Sequence, residues 1–118
     1  MSQWLCAQEV GYVQSFCEAS PKINYIGNAT FRIKKVGDLR KPKLGLLVGG
    51  TGVTPIFQIL NAMRLAKDQS VEVKMIYSNK TAADVLLKDE LDAINAECPN
   101  ITITYTLTRA DTVPDWAR

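Results

Sequence analysis

A short apolar run, Leu44-Gly45-Leu46-Leu47-Val48, passes directly into Gly49-Gly50-Thr51-Gly52-Val53-Thr54-Pro55, and an amphipathic segment follows. A continuous apolar run of this length reads as a strand buried on both faces of a parallel sheet. The glycines after it permit a tight turn and let backbone approach a partner closely, because no Cβ intervenes. Thr54 is a suitable N-cap and Pro55 a suitable first helical residue, so the pattern predicts a helix from Pro55. Ile56, Ile59, Leu60 and Met63 then give one apolar stripe at i, i+3, i+4, i+7 spacing.

The same alternation continues downstream. The polar stretch Lys67-Asp68-Gln69-Ser70 ends the helix, and Val71 to about Tyr77 is rich in strand formers. Leu87, Leu91, Ile94 and Cys98 repeat at helical spacing until Pro99, which cannot continue a helix. Ile101, Ile103, Tyr105 and Leu107 alternate with Thr102, Thr104 and Thr106, a third strand. The order β-α-β-α-β is the first half of a doubly wound parallel sheet, an α/β fold. Before it, Ile23 and Tyr25 alternate ahead of Gly27-Asn28, and Phe31 and Ile33 after it, which predicts a β-hairpin turning at Gly27-Asn28. Lys34 to Lys43 reads as a loop, basic through Lys34, Lys35, Arg40, Lys41 and Lys43 against Asp38 alone.

Composition narrows the chemistry. Among 118 residues, Lys and Arg number 14 and Asp and Glu 12, a net charge of +2, which gives no reason to expect a nucleic-acid partner. No apolar run approaches the ~20 residues of a membrane helix, and Met1 to Val10 does not read as a secretory signal. Cys6, Cys17 and Cys98 are an odd set at spacings that suit neither a disulfide framework nor a zinc site, so a reducing, cytoplasmic setting and no metal are expected. The absence of histidine removes the commonest general base and any Ser-His or Cys-His nucleophile. Chemistry in such a chain falls to a cofactor.

The glycine turn is where a cofactor would bind. Free N–H groups in the first turn of a helix, reinforced by the helix dipole, favour an anion such as a pyrophosphate. No Lys follows the loop, which disfavours a Walker A NTPase, whereas Gly50 and Gly52 fall in register with Gly-x-Gly-x-x-Gly and Pro55 replaces its third glycine. A tight strand-to-helix turn without a ligand is the plain alternative. Thr81-x-x-Asp84 is a capping-box pattern, and Cys98 reads as a small buried apolar side chain.

Gly49-Gly50-Thr51-Gly52-Val53-Thr54-Pro55, Tyr77-Ser78-Asn79-Lys80-Thr81, Asp84-Val85-Leu86-Leu87, Asp89-Glu90-Leu91 and Tyr105-Thr106-Leu107-Thr108-Arg109 occur in that order. Together they resemble NADH-cytochrome b5 reductase and the pyridine-nucleotide half of nitrate reductase, within the ferredoxin-NADP reductase superfamily. The resemblance implies that Gly50, Thr51 and Gly52 hold NADH near its pyrophosphate and nicotinamide. It places Thr54, followed by Pro55, at the contact between nicotinamide and flavin, and Asn79 and Lys80 at the adenosine ribose. Asp84 matches an acidic position favouring NADH, since a carboxylate repels the 2′-phosphate of NADPH. Ser2, in Met1-Ser2, resembles the close of a flavin-phosphate segment. The implied function passes hydride from NADH to FAD and electrons to a haem protein such as cytochrome b5. The basic loop Lys34–Lys43 would help dock such a partner, where acidic, by steering, with a solvated surface loop as the plain alternative.

The resemblance also sets expectations for the chain's extent. Residues 1–43 correspond to the end of a flavin-binding β-barrel, its hairpin remnant and linker, and residues 44–118 to a truncated NAD-binding domain. Neither the family's Arg-x-Tyr-Thr-x-x-Ser flavin motif nor its Cys-Gly-Pro-Pro motif occurs in the 118 residues. An incomplete flavin site is therefore expected, with a non-catalytic nucleotide-binding fragment as the alternative function. No membrane segment is expected in this chain, although the full-length family sits on the cytosolic face of a membrane. The strand at Leu44–Val48 should carry an open edge, from which low stability or self-association is expected.

Overall fold

In the computed structural model, residues 6–13 and 22–108 are described. Strands β1 (Ile23–Gly27) and β2 (Thr30–Ile33) form the expected hairpin, with Tyr25 opposite Phe31. The turn lies one residue later than the sequence suggests. Asn28 and Ala29 occupy it with φ of +50° and +59°, the left-handed pair that a two-residue hairpin turn demands. Gly27 pairs with Thr30 across a register irregularity.

The basic segment is not wholly a loop. Residues Gly37–Arg40 form β3, antiparallel to β2, so the hairpin becomes a three-stranded meander. Every residue of β3 is exposed, so it carries no hydrophobic alternation from which pairing could be read. The pairing uses the free backbone edge of β2, and Arg32 and Asp38 face each other in two bonds of 2.8 and 2.9 Å.

Strands β4 (Lys43–Gly49), β5 (Glu72–Asn79) and β6 (Ile101–Leu107) form a second, wholly parallel sheet in that spatial order. Helix α1 (Val53–Leu65) connects the first pair and α2 (Lys88–Glu97) the second. Two successive right-handed crossovers in the same direction place both helices on one face. Val48, Val73, Met75, Tyr77, Ile101 and Ile103 point to that face and are buried, against Val53, Leu60 and Met63 of α1 and Leu91 and Ile94 of α2. Expected stripe members Ile56 and Ile59 are only half-buried.

The other face corrects the reading of β4 as doubly buried. Leu47 is 86% exposed, and its register partner Ile76 is 47% exposed. An apolar run records that a strand is hydrophobic, not what covers it; with both helices on one side, alternate residues of β4 remain open among the described residues. Among the described residues β4 is also an edge strand of its sheet.

One carboxylate joins the two sheets. Asp68, just after α1, accepts the Tyr25 hydroxyl and the Asn28 N–H of the meander and the Ser70 N–H of its own segment. The nearby Ser70 side chain foremost, then the Tyr25 hydroxyl and the backbone donors, hold its pKa well below the usual carboxylate range.

Candidate functional site

The three parallel strands end together, and a cleft opens at their carboxyl ends. Gly49 closes β4, Ser78 and Asn79 close β5, and Thr108 follows β6. With Gly50, Thr51, Lys80, Ala83, Asp84 and Leu86 these residues line about 670 Å³. Ligands in open α/β sheets bind at this end, where loops diverge from the strands.

The glycine segment is shaped by a single 3-10 turn, Gly50–Gly52, leading into α1. The helix begins at Val53, two residues before the expected start, and Gly52, not Thr54, is its N-cap. The reason is local. Thr54 Oγ1 donates to the Thr51 carbonyl at 3.1 Å, which ties it back onto the turn as part of the first helical turn. Pro55 is then the third helical residue, still a position where a missing N–H costs nothing. Among the described residues no side chain caps the helix, and an uncapped helix start is a place where an anionic group can bind. A Cβ built at Gly49, Gly50 or Gly52 would meet nothing within 4 Å, so open space lies over this stretch of backbone. Gly50 has φ of +48°, a conformation glycine adopts without strain.

Asn79 is the polar residue that the fold leaves wanting. Its side chain is 6% exposed, and its Nδ2 has no acceptor among the described residues. Its own carbonyl accepts the Thr108 N–H at 3.0 Å. A buried donor without a partner costs about 1–3 kcal/mol, a cost that a ligand oxygen in the cleft would remove.

Asp84 serves the local backbone first. Its Oδ2 accepts the Thr81 N–H at 3.0 Å and the Thr81 hydroxyl at 2.8 Å, forming the expected capping box. The element it caps is one 3-10 turn, Ala82–Asp84, because Leu87 at φ +56° interrupts the path to α2. The same residue lines the cleft, so the capping and ligand-facing readings are compatible in position.

Of the expected residues, Gly50, Thr51, Asn79, Lys80 and Asp84 are brought together. Gly52 and Thr54 are exposed at the start of α1 and do not line the cleft. Pro55 instead borders a second groove of about 470 Å³ with Tyr25 and Ile59. Ser2, and Cys17 with it, lie outside the described residues. Sequence reasoning missed the Tyr77 hydroxyl, which donates to the Gly50 carbonyl at 3.0 Å. A buried tyrosine needs a partner for its hydroxyl, and that need was the available signal. No helix among the described residues is long and apolar enough to cross a membrane.

Known proteins resemble the chain in sequence and fold. The chain is 32% identical over 104 residues to NADH-cytochrome b5 reductase 1 of Rattus norvegicus, a match covering 84% of this chain and 34% of the rat protein. The cytochrome b5 reductase domain of Ulva prolifera nitrate reductase superimposes with a TM-score of 0.77 at 30% identity, over 98% of this chain and 43% of that one. Flavohemoglobin from Malassezia yamatoensis, a structure with bound FAD and heme, superimposes with a TM-score of 0.54 at 27% identity over 60% of this chain and 19% of that one. The chain spans about a third of the length of the curated cytochrome b5 reductases of rat and of Vanderwaltozyma polyspora. Residues 46–117 match the oxidoreductase NAD-binding domain, and with the parallel sheet and the cleft at its carboxyl end, the chain belongs to that family.

Proposed function

We propose that this chain is the NADH-binding part of a flavin-dependent oxidoreductase, in which NADH supplies a hydride to FAD and electrons pass on to a haem protein of the cytochrome b5 kind. The carrying observation is the buried, unpartnered Asn79 amide beside the glycine turn, within one cleft at the ends of three parallel strands. In this reading the amides of Gly50 and Thr51, which line the cleft, take the diphosphate together with that of Gly52, exposed just outside the lining at the start of α1. Asn79 donates to an oxygen of the adenosine ribose, and Lys80 lies beside it. Asp84 accepts from the ribose hydroxyls and opposes a 2′-phosphate. Thr54 and Pro55 stand toward the flavin side, and Ser2 would belong to the flavin-phosphate segment.

On the same reading, residues 1–43 are the close of a flavin-binding barrel with its linker, and residues 44–118 are the NAD-binding unit. The setting on this reading is cytoplasmic, with the cytosolic face of a membrane as the place of the full-length family. Self-association of this chain through the β4 edge, which has no neighbouring strand on that side among the described residues, belongs to the same reading, and sedimentation velocity tests it.

Calorimetric titration with NADH and NADPH tests the proposal. NADH should bind and NADPH bind less well. Asp84→Asn keeps an acceptor oxygen for Thr81 while removing the charge, so NADPH should gain about 1–2 kcal/mol, roughly five- to thirtyfold. Failure of the unaltered chain to bind either nucleotide overturns the reading. Absorbance in the flavin bands of the purified protein separates the two functions: yellow protein supports the flavoprotein, and colourless protein that binds NADH supports a nucleotide-binding module.

A further inference from the structure

Tyr77 stands at the centre of the molecule, and the nucleotide reading leaves it without a task. Its side chain is fully buried in the middle strand β5, and its ring packs against Tyr105 at 6.2 Å between centroids. Its hydroxyl crosses 27 positions of sequence to donate to the Gly50 carbonyl. That carbonyl also accepts the N–H of Val53, the first residue of α1.

These two bonds fix one peptide plane. The Gly50–Thr51 peptide is trans, since no cis bond occurs in the described chain. In a planar trans peptide the C=O and the following N–H point in opposite directions. With the carbonyl drawn toward Tyr77 in the core, the Thr51 N–H is turned the other way, and Thr51 is a residue that lines the cleft. Gly50 has little preference between left- and right-handed backbone, so the glycine itself does not choose this plane.

We infer that the Tyr77 hydroxyl is the positioning group of the nucleotide turn: it holds the Gly50 carbonyl inward and so aims the Thr51 amide at an anionic diphosphate. This rests on the NADH reading above. Tyr77 does not touch the ligand; it acts through the peptide it tethers. Removing the hydroxyl leaves Val53 as the remaining restraint on the plane, and the amide no longer waits in the binding orientation.

The experiment compares the full chain with Tyr77→Phe and Tyr105→Phe, each titrated with NADH and each melted. Tyr105 donates to Asp92 at 2.7 Å, away from the turn, so its variant loses a comparable phenol bond without touching the loop. Tyr77→Phe should raise the Kd for NADH about three- to tenfold; Tyr105→Phe should leave it within about twofold while lowering the melting temperature at least as much. In the unaltered chain, the Thr51 amide resonance should shift on adding NADH, a measurement that stands even where a variant folds poorly. If the unaltered chain binds NADH but Tyr77→Phe binds it equally well, or Thr51 is silent, the inference falls while the NADH reading stands. If the unaltered chain does not bind NADH, the reading itself falls and takes the inference with it.

Discussion

Asp68→Ala should be among the most damaging single changes outside the apolar core. The carboxylate accepts three hydrogen bonds, from the Tyr25 hydroxyl, the Asn28 N–H at 2.9 Å and the Ser70 N–H at 2.8 Å. Bonds to a charged acceptor contribute about 1.5–3 kcal/mol each when shielded, and less where water competes, as at exposed Asn28. Together they are worth about 3 kcal/mol, a large fraction of the 5–15 kcal/mol that holds an ordinary domain folded. Two of the three donors belong to the meander, so its hold on the parallel sheet weakens most, and the Asn28 amide should exchange faster with solvent. The pH dependence follows from the same bonds. The folded carboxylate titrates well below its unfolded value, so its stabilisation is present above about pH 4 and is lost as pH falls further. At pH 3 the unfolded chain already takes up most of a proton at this position while the folded chain does not, removing part of the advantage. Urea denaturation of both proteins at pH 7 and pH 3 measures this: the gap between them should be about 3 kcal/mol at pH 7 and visibly smaller at pH 3. A variant within 0.5 kcal/mol of the parent, or a gap that does not change with pH, would refute the reasoning.

Two further outcomes follow from the structure. Burial first, and then the bond to Asp92, raises the Tyr105 phenol, while burial and Asp68 raise Tyr25. Folded-state values above the unfolded value of about 10 mean stability intact below that pH and lost as pH rises beyond it. Absorbance titration at 295 nm should show these two phenols ionising above the ordinary range; their ionisation in the folded chain near pH 10 would contradict this. The two faces of the parallel sheet should respond oppositely to truncation. Met75→Ala, at 1% exposure, should cost about 2–5 kcal/mol, and Leu47→Ala, at 86%, less than about 1. Equal losses by chemical denaturation would mean that both faces are covered.

The parallel sheet was legible where chemistry alternated. Ile101 to Leu107 sets apolar residues against threonines, and β6 has those limits. Leu44 to Val48 lacks such alternation, and an unbroken apolar run is compatible with cover on one face or two. β3 was invisible for the opposite reason: Gly37-Asp38-Leu39-Arg40 is exposed throughout, and its pairing depends on an unfilled edge and an ion pair across it, neither of which leaves a periodic mark. The helix start was misplaced because Thr54 has two uses for one hydroxyl. Capping a helix from Pro55 and bonding back to Thr51 draw on the same sequence pattern, and the second lets α1 begin at Val53.

The glycine motif, the most visible feature of the sequence, carries less of the site than it suggests. Glycines allow the turn many shapes and choose none of them. The choice comes from β5, whose period of two puts Tyr77 and Asn79 on the same side. Tyr77 spends its hydroxyl on the Gly50 carbonyl, while Asn79, one step nearer the strand's end, keeps an amide with no acceptor within the described chain. The residue deeper in the core therefore shapes the turn, and the residue at the rim is left to meet whatever the turn holds. The dinucleotide pattern marks where a ligand can come close, and the strand beside it decides which amides will be facing it.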